Sequence, residues 1–156
     1  MKYSFPWQEQ FNRIKRLRNS LKNYENSADS NFEDGVDAFT SFFIQCYHLS
    51  DWLVKSGQNK DLVWEFIKKS QWLSLCRNLA NTQKHQKRPT NEFIDFGDFS
   101  FGVTTPISRY IDHLTNQTRF CIDAASFGPF PLDAMFCANK CIEEWEKYLT
   151  IHVKRN

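Results

Sequence analysis

In a chain of 156 residues, an aromatic content of 16 % with fifteen Phe and five Trp excludes a disordered segment and suits one compact domain. Only five Gly and five Pro disfavour a loop-rich sandwich and favour long helices. A net charge of +2 excludes a protein that holds polyanions by bulk charge, so nucleic-acid contact has to come from a local patch such as "RIKRLR" at 13–18 or "KHQKR" at 84–88.

The first predicted helix covers 7–22, where Trp7, Phe11, Ile14, Leu17 (or Arg18) and Leu21 recur at helical spacing. "NYENSADSNFEDG" then clusters Asn, Ser, Asp and Gly and breaks the pattern. Residues 36–56 form the strongest predicted helix. Phe39, Phe42, Phe43, Cys46, Leu49 and Leu53 fall within an arc of about 120°, with Ser41, Gln45, His48, Asp51 and Lys55 opposite. Gly57 is the expected residue past its end, and Asp61 belongs to the first turn of the next element. "DLVWEFIKKS" reads as a short helix. Residues 70–87 read as another, starting near Ser70 and ending before Pro89, which pushes Arg88 out of the α region.

Beyond Pro89 the texture changes. "NEFIDFGDFSFGVTT" and "RFCIDAASFG" alternate aromatic and polar residues and read as two strands, in a hairpin or a small sheet. "PISRYIDHL" between them fits a helix through Ile107, Tyr110, Ile111 and Leu114, or a strand. A last helix opens with Pro131 at its first position and carries an apolar stripe of Met135, Ala138, Cys141, Ile142, Trp145, Tyr148 and Leu149. The expected architecture is mainly α: one domain over 1–156, a bundle of four to five helices with a small β insertion at about 90–128 before the last helix.

Five cysteines without a Cys-x-x-Cys pair read as reduced, mostly buried thiols. Cys137 and Cys141, four apart on one helix, have metal-ligand reach but no further ligand at the right spacing, so core packing is expected and neither metal nor cofactor. The start of the chain lacks the apolar stretch of a signal peptide, and no run is long enough to span a bilayer. A cytoplasmic protein without a membrane partner is expected.

The chemistry-bearing stretch is "CRNLANTQKHQKRP". On a helical wheel with Arg77 at 0°, Asn81 lies at about 40°, Lys84 at about −20°, His85 at about 80° and Arg88 at about 20°. One face therefore joins cations, an amide and an imidazole. Such a set can hold an anion, with His85 in the pKa range for proton transfer. The plain alternative is a group of cations gathered at a helix C-terminus by the macrodipole. His48 and Asp51, three apart on the long helix, can touch, and an Asp can fix the tautomer of a His. If the two polar faces met, His48, Asp51, Asn81, Lys84 and His85 would share one site. "RIKRLR" interleaves with Ile14 and Leu17 and reads as the wet face of an amphipathic helix.

"CYHLSDWL" at 46–53, "CRNLANTQKH" at 76–85 and "CIEEWEKYL" at 141–149 together resemble a bacterial protein family of unassigned activity. Its members carry a Cys-Tyr-His-Leu-x-Asp-Trp helix, a Leu-Ala-Asn-x-x-Lys-His helix and a final Trp-containing helix. The likeness covers nearly the whole chain. More distantly, the chain resembles the HEPN superfamily of helical bundles, many of which dimerise and act as metal-independent ribonucleases. Their signature is an Arg followed by a polar residue and, further on, a His. Arg77, Asn78 and His85 are similar to it, with seven residues between Arg77 and His85, a longer interval than the family's usual one. The resemblance implies His85 as general acid–base, Arg77 and Asn78 as phosphate-handling groups, and two copies facing each other. It implies an RNA-handling protein, in its strongest form an endoribonuclease of a toxin or phage-defence system with an antitoxin or operon partner. The alternative is a non-catalytic module for RNA, a nucleotide or a protein, with His48, Asp51, Asn81, Lys84 and Arg88 binding it or serving the structure.

Overall fold

The computed structural model describes residues 6–25, 32–84, 107–123 and 131–153, and of 82–84 only the backbone. Five helices and a small sheet follow in the order α1 (Trp7–Glu25), α2 (Phe32–Lys55), α3 (Lys60–Lys69), α4 (Gln71–Lys84), β1 (Ile107–Asp112), β2 (Gln117–Ile122), β3 (Leu132–Asp133) and α5 (Ala134–His152). The expected class holds: mainly helical, with a three-stranded antiparallel sheet in the order β1-β2-β3 before the last helix.

α2 is the central element and touches α1, α3, α4, α5 and β1. Its predicted arc, Phe39 to Leu53, is wholly buried. α1 lies along it on Phe11, Ile14 and Leu21, and buried Gln10 donates to the Gln45 backbone carbonyl at 2.8 Å. All seven residues of the predicted α5 stripe are buried too. Trp145 of that stripe donates its indole N–H to the Cys46 carbonyl at 3.0 Å, tying the last helix to the central one.

The helix ends are set by local chemistry. Gly57 has φ 102° and closes α2: its N–H bonds to the Val54 carbonyl at 3.0 Å and that of Gln58 to the Leu53 carbonyl at 3.0 Å, a Schellman pair. Asn59 caps α3 by accepting from the N–H groups of Asp61 and Leu62. Ser70 serves two helices at once. Its N–H bonds to Phe66 and ends α3, while its hydroxyl accepts from the Leu73 N–H and starts α4.

Three details differ from the sequence reading. α2 begins at Phe32, because Gly35 in its first turn lies flush against the Phe120 ring instead of breaking the helix. The helical option for 106–114 is wrong. Ile107–Asp112 pairs with Gln117–Ile122 around a turn in which Asn116 has φ 55° and the Asp112 carboxylate accepts from the Leu114 N–H. Of the supposed helical stripe, Tyr110, Ile111 and Leu114 are exposed and Ile107 is buried. Pro131 does not open α5. Leu132–Asp133 first pairs with Cys121–Ile122, and Asp133, a better cap, accepts from the Phe136 N–H at 2.9 Å. The strand expected in 91–105, the tail of the 119–128 strand and the 85–87 end of the α4 helix lie outside the described residues.

Candidate functional site

α4 is enclosed, not a surface helix. Leu73, Leu75, Cys76, Asn78, Leu79 and Ala80 are buried, and of its described side chains only Gln71 is exposed. Of the expected polar stripe, Arg77 and Asn81 are the members whose side chains are described, and both are half-buried. The Arg77 guanidinium carbon stands 4.8 Å over the Trp64 ring of α3. The same group lies beside the Tyr47 hydroxyl of α2. Burial raises the Tyr47 pKa, the Arg77 charge opposes that rise, and the Asp51 carboxylate adds to it. The buried Nε of Arg77 finds no hydrogen-bond partner among the described residues. Arg77 thus links three helices through a cation–π contact with Trp64 and its place beside Tyr47.

The other candidates are placed as follows. Asn78 is buried, about 100° around the helix from Arg77, and faces the interior. His48 and Asp51 are both exposed on α2, and no hydrogen bond joins them among the described residues. His48 is a surface residue whose ring lies 6.3 Å from that of Tyr47. α2 and α4 meet here through Tyr47 and Arg77, with the Asp51 charge near enough to Tyr47 to act on it. Lys84 is the last residue of α4, and His85 and Arg88 lie outside the described residues. Tyr47 and Trp64 are the members that sequence reasoning missed. Tyr47 stands next to His48 in "CYHLSDWL", and Trp64 lies in "DLVWEFIKKS", which reads as nothing but a short helix.

A second cluster lies deeper. Cys46 of α2, Cys76 of α4 and Cys141 of α5 bring their sulfurs within 4.8 Å of one another, all fully buried. The Cys76 thiol donates to the Phe43 carbonyl at 2.9 Å and the Cys141 thiol to the Trp72 carbonyl at 3.4 Å. Cys137, the supposed companion of Cys141, stays outside the cluster, and burial pushes its thiol up to about 12. Each cluster member is the first residue of one of the three motifs, "CYHLSDWL", "CRNLANTQKH" and "CIEEWEKYL". That shared position was the available signal.

Comparison with protein-family models, curated proteins and solved structures finds no match for this chain. Among the described residues, no helix is long and apolar enough to cross a membrane.

Proposed function

We propose that this protein handles RNA as a HEPN-like helical bundle, with Arg77 as a phosphate contact. The observation that carries the reading is the setting of Arg77. The residue is half-buried with its guanidinium over the Trp64 ring, at the head of the stretch that leads to Lys84 and His85. An aromatic face that restrains a guanidinium lowers the entropy lost when its N–H edge meets a phosphate oxygen. The mainly helical architecture supports the same reading. In its strongest form the protein is a metal-independent endoribonuclease of a toxin or phage-defence system. It works as a homodimer, with His85 as the acid–base group and an antitoxin or operon partner holding it in check.

A second reading is a non-catalytic module that holds RNA, a nucleotide or a protein. The burial of Asn78 favours it, because a side chain facing the interior does not handle a substrate phosphate. One experiment separates the two: a mixed RNA pool is incubated with the chain in EDTA, and melting in the same buffer verifies the fold. Cleavage by the wild type, reduced about 10²-fold or more in His85→Ala of equal stability, is the outcome expected of the enzyme. If a folded wild type leaves RNA intact, the enzyme form falls and binding is measured instead. Arg77→Ala is then expected to weaken binding and to flatten the log-affinity against log-salt slope by about 0.7, one phosphate contact to a single strand. An unchanged affinity and slope would remove Arg77 from the RNA contact.

A further inference from the structure

The cysteine cluster is independent of the RNA-handling reading and has a chemistry of its own. Its three sulfurs come from three helices and from distant parts of the chain, and all of them are shielded from solvent. Buried cysteines are ordinary small core residues, and two of these thiols donate to helix carbonyls. Yet core packing does not by itself demand that three of the five sulfurs converge on one point. A metal–thiolate bond of about 2.3 Å places three sulfurs around one ion about 4 Å apart. The sulfurs here, within 4.8 Å of one another, lie within about 1 Å of that spacing. The Phe43 and Trp72 carbonyls that now accept the thiol protons lie inside α2 and α4, with residues one turn ahead to bond to, so losing the thiol leaves neither carbonyl stranded.

We propose that Cys46, Cys76 and Cys141 form a binding site for a single soft, thiophilic metal ion, Zn(II) or Cu(I), that clamps α2, α4 and α5 together. Thiolate sulfur selects these ions over the hard cations Mg(II) and Ca(II). Binding forms three metal–sulfur bonds and releases the thiol protons to solvent, with no change in oxidation state. The ion offsets part of the thiolate charge that a water-free core otherwise tolerates only at high cost, leaving a net −1 with Zn(II) and −2 with Cu(I). Because the cluster is fully buried, the ion is taken up as the chain folds, and metal binding is coupled to stability.

The test uses the full chain under anaerobic, reducing conditions. The protein is unfolded, stripped with a chelator and refolded in parallel with Zn(II), with Cu(I) or with neither, and then challenged with graded competing chelators. The expected result is about one ion retained per chain, sulfur-to-metal charge-transfer absorbance in the ultraviolet, and a higher Tm with whichever ion the site prefers. Cys76→Ser should lose affinity about tenfold or more, while Cys137→Ser, buried but outside the cluster, retains it. If Cys76→Ser does not fold, the wild type refolded with 113Cd(II) gives the answer, since the cadmium chemical shift counts the bound sulfurs. No retained ion and no Tm change with either metal would overturn the proposal. So would equal losses in Cys76→Ser and Cys137→Ser, or a cadmium shift typical of oxygen and nitrogen ligands. Any of these leaves three plain thiols in a packed core.

Discussion

Glu25 ends α1 with 5 % of its surface exposed, and Arg119 faces it at 3.9 Å, too far for a hydrogen bond. Burial, followed by the Asp133 carboxylate, pushes its pKa up, and Arg119 with the Phe120 backbone opposes without cancelling the rise. The folded chain therefore holds this proton more tightly than the unfolded one. That preference favours the fold fully below the ordinary carboxylate value of 4.5, and it is lost as pH rises through the higher folded value. Glu25→Gln, neutral at every pH, should melt above wild type near neutral pH, and the gap should close as pH falls below 4.5. Melting curves across that range check it, and a variant less stable than wild type near neutrality would refute it. A buried carboxyl of this kind has no signature in "KNYENS", where Glu25 reads as one more polar residue before a break.

Between elements, α2 and the sheet fit closely at Gly35 and Phe120. Phe120 of β2 stacks parallel to Phe32 at 6.4 Å and tilts against Phe39 at 5.0 Å, so its ring lies over Gly35 between them. A Cβ at Gly35 would come 2.1 Å from the ring tip and 2.7 and 2.9 Å from its flanking carbons. Gly35→Ala should therefore displace Phe120 and destabilise the chain by about 1–3 kcal/mol, the usual cost of overpacking a core. Urea unfolding measures this, and a neutral result would mean that the ring moves freely. The sequence shows Gly35 inside a polar run and suggests a break there. What permits a helix is a ring delivered from 85 residues away, and local composition carries no trace of it.

At the scale of the molecule, α5 closes the bundle through Trp145. Its indole N–H bonds to the Cys46 carbonyl, its ring lies 6.5 Å from Phe66 and 6.0 Å from Tyr148, and it is fully buried. Trp145→Phe keeps an aromatic ring but removes the donor and some volume. A loss of about 1–3 kcal/mol is expected, the scale of a broken buried hydrogen bond. A cooperative denaturation curve with an earlier midpoint and an unchanged slope is the check. An unchanged midpoint would show that α5 is held without this anchor.

The sequence alone determined the helices and their buried faces. The α2 arc and the α5 stripe follow from a periodicity of apolar residues that every helix must satisfy, whatever it packs against. The caps at Gly57 and Ser70 were legible for the same reason, being chemistry within a few residues. Strand against helix at 106–114 was not legible, because Ile107 and Ile111, four apart, share a face in either element until a partner strand is present. Nor were the site's neighbours. The wheel correctly grouped Arg77 with Asn81, but it describes one helix in isolation, and only packing showed that Asn78 turns inward while Trp64 and Tyr47 flank Arg77. The three sulfurs are the plainest case. Spacing along the chain pairs Cys137 with Cys141, whereas the crossing of α2, α4 and α5 pairs Cys141 with Cys46 and Cys76. Local periodicity decides which face of a helix is apolar, and the tertiary structure alone decides what that face meets.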